Sequence, residues 1–172
     1  VEDVRLVNRC VKEARDMGAS YLDCFIEEGW GLDELLKSAG FEHVDTWRKM
    51  MRPIPPPKAM SDHIEVPGIG KFTVRRFEVG RDEEAFASVV DKAYRVRTGH
   101  EAMTLEDVEV MKKEKYFDPR GILLMEHEGK VVGSIWVELI DPVKRIGTGG
   151  HFAIDPEYQH HGLGKFLLSK ND

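Results

Sequence analysis

The chain has 172 residues, 41% of them apolar and 33% charged, and carries a net charge of −6. That is about one domain's worth of chain, long enough to bury a core and too apolar to read as disordered. The acidic balance argues against a dedicated nucleic-acid binder, which needs clustered Lys and Arg against phosphate, so Arg75-Arg76 and Arg95-Val96-Arg97 read as solvated faces.

In chain order, Val4, Val7, Val11, Ala14 and Met17, with Leu6 and Cys10 beside them, follow helical spacing up to Gly18. Tyr21 to Ile26 is short and rich in strand formers. Leu32, Leu35, Leu36 and Ala39 make one face of a second helix, with Asp33-Glu34 in its first turn and Gly40 at its end. Phe41 to Met51 reads as extended structure. Pro53-Ile54-Pro55-Pro56-Pro57 then breaks the pattern, and the segment to Gly70 is expected to be a stiff linker.

Past it, Lys71 to Phe77 alternates like a half-buried strand, and Asp82-Glu83-Glu84 opens a helix whose Phe86, Val89, Val90 and Ala93 face one way. Thr104 with Asp107 predicts a capping box for a helix to about Tyr116. Gly121 to His127 and Lys130 to Ile140 read as two strands joined by Glu128-Gly129, a hairpin signal. Asp141-Pro142 turns the chain, and Ile146 to Ile154 is a further strand. Gln159-x-x-Gly162-x-Gly164 then places two glycines at a helix start, where free N–H groups and the helix dipole attract an anion such as a pyrophosphate. The pattern is mixed α/β with an antiparallel meander in the second half. No apolar run reaches the roughly 18 residues of a membrane span. Cys10 and Cys24 have neither metal-ligand spacing nor a secretory signal, and are expected as reduced thiols in a cytoplasmic protein. The chain begins at Val1 rather than Met, so this is not expected to be the gene's own start.

Phe152-Ala153-Ile154, Asp155-Pro156, and Gln159-His160-His161-Gly162-Leu163-Gly164-Lys165 together resemble the acyl-CoA signature of the GCN5-related N-acetyltransferases, with the hairpin at Gly133 similar to that family's second and third strands. The resemblance implies the acyl-CoA N-acyltransferase fold, a mostly antiparallel mixed sheet flanked by helices, with residues 71–172 as its front half. Residues 1–52 resemble the back half of the same fold: a helix, the fifth strand (Tyr21–Ile26), a last helix and terminal strands. With 53–70 as linker, the halves stand in reversed order. The chain is circularly permuted, or spans the joint of two tandem domains, or shares halves with a second copy as a homodimer. Helix 1–17 duplicates the helix that Gly164 begins, which fits the last two better.

The resemblance further implies an acetyltransferase that moves an acetyl group from acetyl-CoA directly to an amine of a small molecule or protein, without nucleic-acid, membrane or metal partners. Backbone N–H groups from Gln159 to Gly164, including those of His160, His161 and Leu163 and extending to Lys165, would hold the pyrophosphate. Phe152, Ala153 and Ile154 would pair with the pantetheine arm. The family's glutamate base falls at Thr148 and its thiolate-protonating tyrosine at Leu36, and neither can do that proton chemistry. Glu138 and His151 are the substitutes, with a packed strand histidine and a solvent-face glutamate as the competing readings; a bulge would bring His151 to the face of Thr148. A non-catalytic acyl-CoA-binding module is the alternative function. The acceptor would be set by the loop from Arg97 to Met103.

Overall fold

The computed structural model describes residues 2–46, 51, 53, 61–96 and 102–171. The chain divides into two compact units, Val1–Met51 and Arg52–Asp172.

In the first unit, α1 spans Glu2–Asp16 and α2 spans Asp33–Ser38. Of the predicted faces, Val4, Val7, Val11 and Ala14 on α1 and Leu32, Leu35, Leu36 and Ala39 around α2 are half-buried, whereas Met17, past the end of α1, is exposed. Gly40 stops α2 at φ +86°, a left-handed conformation in which a Cβ is strained. Its N–H reaches the carbonyl of Lys37 and that of Phe41 reaches Leu36, the paired bonds of a Schellman motif. Tyr21–Ile26 forms no strand. Strand formers supply propensity, but a lone segment has no ladder to satisfy its backbone, and this one is mostly exposed. Of the extended structure expected over 41–51, residues 41–46 carry no strand and 47–50 lie outside the described residues.

In the second unit, five strands form one sheet in sequence order, every neighbouring pair antiparallel: β1 (His63–Val66), β2 (Gly70–Arg76), β3 (Ile122–His127), β4 (Lys130–Asp141) and β5 (Ile146–Ile154). β1 corrects the expectation of a linker up to Gly70. His63-Ile64-Glu65-Val66 alternates, and Pro67-Gly68-Ile69 turns it onto β2, with the N–H of Ile69 on the carbonyl of Val66. Residues 54–60 of the expected linker lie outside the described residues. The β3–β4 hairpin turns at Glu128 and Gly129 with both φ positive, the geometry that matches strand twist.

Helices α3 (Glu83–Tyr94) and α4 (Leu105–Met111) cross one face of this sheet. α4 starts at the expected capping box: Asp107 N–H donates to the Thr104 hydroxyl, and the Asp107 carboxylate accepts from Thr104 N–H. It stops at Met111 rather than near Tyr116. Phe86, Val89 and Val90 of α3 with Val108 and Met111 of α4 pack on Phe77, Ile122, Leu124, Trp136 and Ala153. On the opposite face, Leu163 and Leu167 of α5 (Leu163–Leu168) pack with Val66, Phe72, Met125, Val132, Ile135 and Ile154. Alternation along the strands is what divides these two cores. Arg75 on β2 ties the entry of α3 to the sheet by bridging Asp82 and Glu126, and Lys112 joins Glu83 to the end of α4. Among the described residues, no helix is long and apolar enough to cross a membrane.

Candidate functional site

The site is built where β5 ends. Asp155 is buried and locks the exit: its N–H donates to the Val132 carbonyl, and its carboxylate accepts from Lys92 Nζ at 2.9 Å and from Glu157 N–H at 3.2 Å. Pro156 opens a single 3-10 turn to Tyr158. The chain then passes through two left-handed residues, His160 at φ +66° and Gly162 at φ +78°, before α5 begins. Gln159 donates from Nε2 to the Ile154 carbonyl at 2.9 Å, folding the loop back against the strand.

Antiparallel alternation sorts the backbone of β5. Ala153 pairs with Ser134, and Asp155 donates to β4, so these residues turn their polar groups inward. Phe152 and Ile154 turn theirs to the outer edge. Between that edge and the loop lies a cavity of about 300 Å³, lined by Ala93, Tyr94, Phe152, Ile154, Tyr158, Gln159, His160, Gly162, Leu163 and Gly164. Its volume sits at the lower end of small-molecule sites. Gly164 sits close under Phe152: a Cβ there would lie 3.2 Å from Phe152 Cζ, so the ring would have to shift to admit it. Gly162 is needed for conformation, because a Cβ there meets nothing within 4 Å and only its φ is strained.

The structure thus brings together Phe152, Ile154, Gln159, His160, Gly162, Leu163 and Gly164 of the residues read from the sequence. Ala153 is buried in the core under α3, while His161 and Lys165 are exposed and do not line the cavity. Tyr94, Ala93 and Tyr158 are additions. Tyr94 follows Phe86 and Val90 at four-residue steps, so its place on the inner face of α3 was open to the helical period.

Glu138 and His151 lie outside the cavity lining. Glu138 is half-buried on β4 opposite Thr148. The register steps from Ile135–Phe152 to Val137–Gly149, so β5 carries one extra residue opposite Trp136. That bulge brings His151 to the face of Trp136, whose ring it stacks on at 5.8 Å and 17°. Phe86 and Tyr94 meet the imidazole edge-on at 6.4 and 6.2 Å. Burial among these rings holds the His151 pKa below its ordinary value. Among the described residues, no three His, Cys, Asp or Glu side chains are grouped to hold a metal ion, and residues 97–101 of the loop expected to set the acceptor lie outside the described residues.

A mycothiol acetyltransferase of Thermomonospora curvata is 38% identical over 96 residues, covering 55% of this chain and 31% of that protein. One from Acidimicrobium ferrooxidans is 33% identical over 137 residues, covering 78% of this chain and 43% of that protein. The chain therefore spans less than half the length of these curated relatives. A GCN5-related N-acetyltransferase of Sphaerobacter thermophilus shares the fold, with a TM-score of 0.51 and 24% identity over 68% of this chain and 33% of that one. The model of the acetyltransferase (GNAT) family matches residues 84–170, half of the chain, and the chain belongs to that family.

Proposed function

We propose that the protein is an acetyl-CoA-dependent N-acetyltransferase that moves an acetyl group directly to an amine. The observation that carries this reading is the cavity itself. It combines an outward-facing strand edge at Phe152 and Ile154 with a loop whose left-handed residues present backbone to an anion. The backbone from Gln159 to Gly164 would hold the pyrophosphate, and the β5 edge the amides of the arm; when bound, the cofactor supplies the activated acetyl thioester. The residues fit such a group, because Gly164 leaves room that a Cβ would fill. Glu138 and His151 remain the proposed proton carriers. Relatives named mycothiol acetyltransferase favour a small molecule over a protein as the amine. The exposed free thiols of Cys10 and Cys24 favour the cytoplasm.

We take the reversed halves to be the joint of two tandem domains, with 1–52 closing the one before and 71–172 opening the next. The similarity to the Acidimicrobium protein supports this: it covers 78% of the chain, more than the whole second unit, so it runs through the joint with the segments in the same order. A homodimer by exchanged halves is the competing arrangement, and the mass in solution separates the two.

Thiol release from acetyl-CoA across a panel of amines tests the activity. One observation favours the non-catalytic alternative: among the described residues no carboxylate lines the cavity, and Thr148 stands at the base position. Tight coenzyme A binding with no turnover on any amine, in a protein of the relatives' full length, would establish that alternative.

A further inference from the structure

The outer edge of β5 is not bare. The Tyr94 hydroxyl donates to the Phe152 carbonyl at 3.0 Å and accepts from the Phe152 N–H at 3.2 Å. Two residues on, Gln159 Nε2 takes the Ile154 carbonyl. Side chains therefore cap the outward groups of the strand at the cavity wall, as an exposed edge requires. The cap at Phe152 is unusual in using one phenol oxygen, as donor and acceptor at once, for both backbone groups of one residue. A donor and an acceptor on a single strand residue are also what the secondary amide of an extended chain pairs with.

We propose that Tyr94 is a positioning residue that reserves this docking point. Its hydroxyl stands in for a ligand amide, and an acyl-carrier arm seats on β5 only as the phenol withdraws from Phe152. This rests on the reading of the cavity as a coenzyme A site and adds a competitor to it. α3 is anchored beside the site by the Lys92–Asp155 pair, so the phenol is held against the strand by the helix it ends. The arm then gains its strand pairing only after a bond pair inside the protein is given up. Tyr94 thus tunes affinity for the arm and leaves the pyrophosphate loop alone, so a ligand that carries the nucleotide end without an arm does not have to displace the phenol.

Titration calorimetry of the whole chain and of Tyr94→Phe tests this with two probes, coenzyme A and ADP; ADP carries a pyrophosphate and no arm. Losing the competing bonds is expected to tighten coenzyme A binding about 2- to 10-fold, the range one net hydrogen bond spans, with ADP affinity unchanged. A purely structural cap predicts the reverse, since removing it loosens the edge: a lower melting temperature with equal or weaker coenzyme A binding would overturn the proposal while leaving the cavity reading intact. Equal tightening of both probes would overturn it as well, because the effect would then be a general opening of the cavity. Binding of neither probe to either form would overturn the cavity reading and this inference with it.

Discussion

The two units use the same local chemistry with different results. Both have amphipathic helices, glycines at positive φ and ion pairs one helical turn apart. In the first, among the described residues, no side chain is fully buried, and apolar residues such as Leu6, Met17, Tyr21 and Trp30 stay exposed. In the second, every strand is paired and two cores lie on opposite faces of the sheet. Secondary structure is therefore cheap to specify locally, whereas a core requires a sheet with something to cover it. Substituting the same residue type in each unit is the strongest way to break this contrast. Leu124→Ala, fully buried beneath α3, is expected to cost about 2–5 kcal/mol, and Leu6→Ala, 64% exposed, less than about 0.5 kcal/mol. Urea denaturation reads both. Equal losses would mean that the first unit has a core of its own in solution.

Ion pairs sharpen the contrast. Those described in the first unit, Arg9–Glu13, Lys12–Asp16 and Lys37–Glu34, are exposed neighbours on a helix, and Lys12→Ala is expected to change stability by no more than about 0.5 kcal/mol. Asp82 in the second unit is buried against Arg75 and also accepts the Glu78 N–H. The hydrogen bond from Arg75, outweighing the cost of burial and aided by Glu78, holds its carboxyl below the ordinary range. The unfolded chain therefore takes up this proton first as the pH falls. The stabilisation is complete above about pH 4 and is lost as the pH drops through the lower folded-state value. Asp82→Asn is expected to cost about 1–3 kcal/mol at pH 7 and to flatten that part of the acid limb. A variant whose acid unfolding overlays the wild type would show that Asp82 does not carry it.

Glycines at positive φ separate fold from function. Gly40 and Gly162 have φ of +86° and +78°, and a Cβ on either meets nothing within 4 Å. Gly40→Asp and Gly162→Asp should both pay about 1–2 kcal/mol for the left-handed backbone. Only Gly162→Asp puts a carboxylate at the proposed pyrophosphate loop, and it should weaken coenzyme A binding about tenfold or more by like-charge repulsion. Equal affinities for the two variants would remove the loop from the ligand site.

What could be read from the sequence follows the range of the interaction. The Thr104–Asp107 box, the Glu128-Gly129 turn and the apolar face of α3 depend on residues within four positions of one another, and each is found where expected. The cavity loop was legible for the same reason, since Gln159, Gly162 and Gly164 lie in one short run. β1 was hidden by its brevity and by the prolines before it; only pairing with β2 makes it a strand. Tyr21–Ile26 failed in the opposite way, with strand propensity and no ladder to join. Tyr94 was missed because its partners are the backbone groups of a residue 58 positions away, which carry no sequence signal.

His151 is the finest probe of how far the second unit's order extends to its chemistry. Burial among Trp136, Phe86 and Tyr94 lowers its pKa, so the folded protein resists the charge that the unfolded chain accepts. The sign follows: the unfolded state binds more protons, and stability is full above about pH 6.5 and declines as the pH falls from there through the folded-state value. His151→Phe should keep the stack on Trp136 and remove that decline, leaving stability between pH 7 and 5 flatter than in the wild type. The change is expected to be about 1 kcal/mol or less, because the ring is only half-buried. The same substitution discriminates the proton carriers. If His151 takes the proton from the amine, acetyl transfer falls steeply in the variant at every pH; if it only packs, transfer is kept and the pH dependence of stability alone is lost.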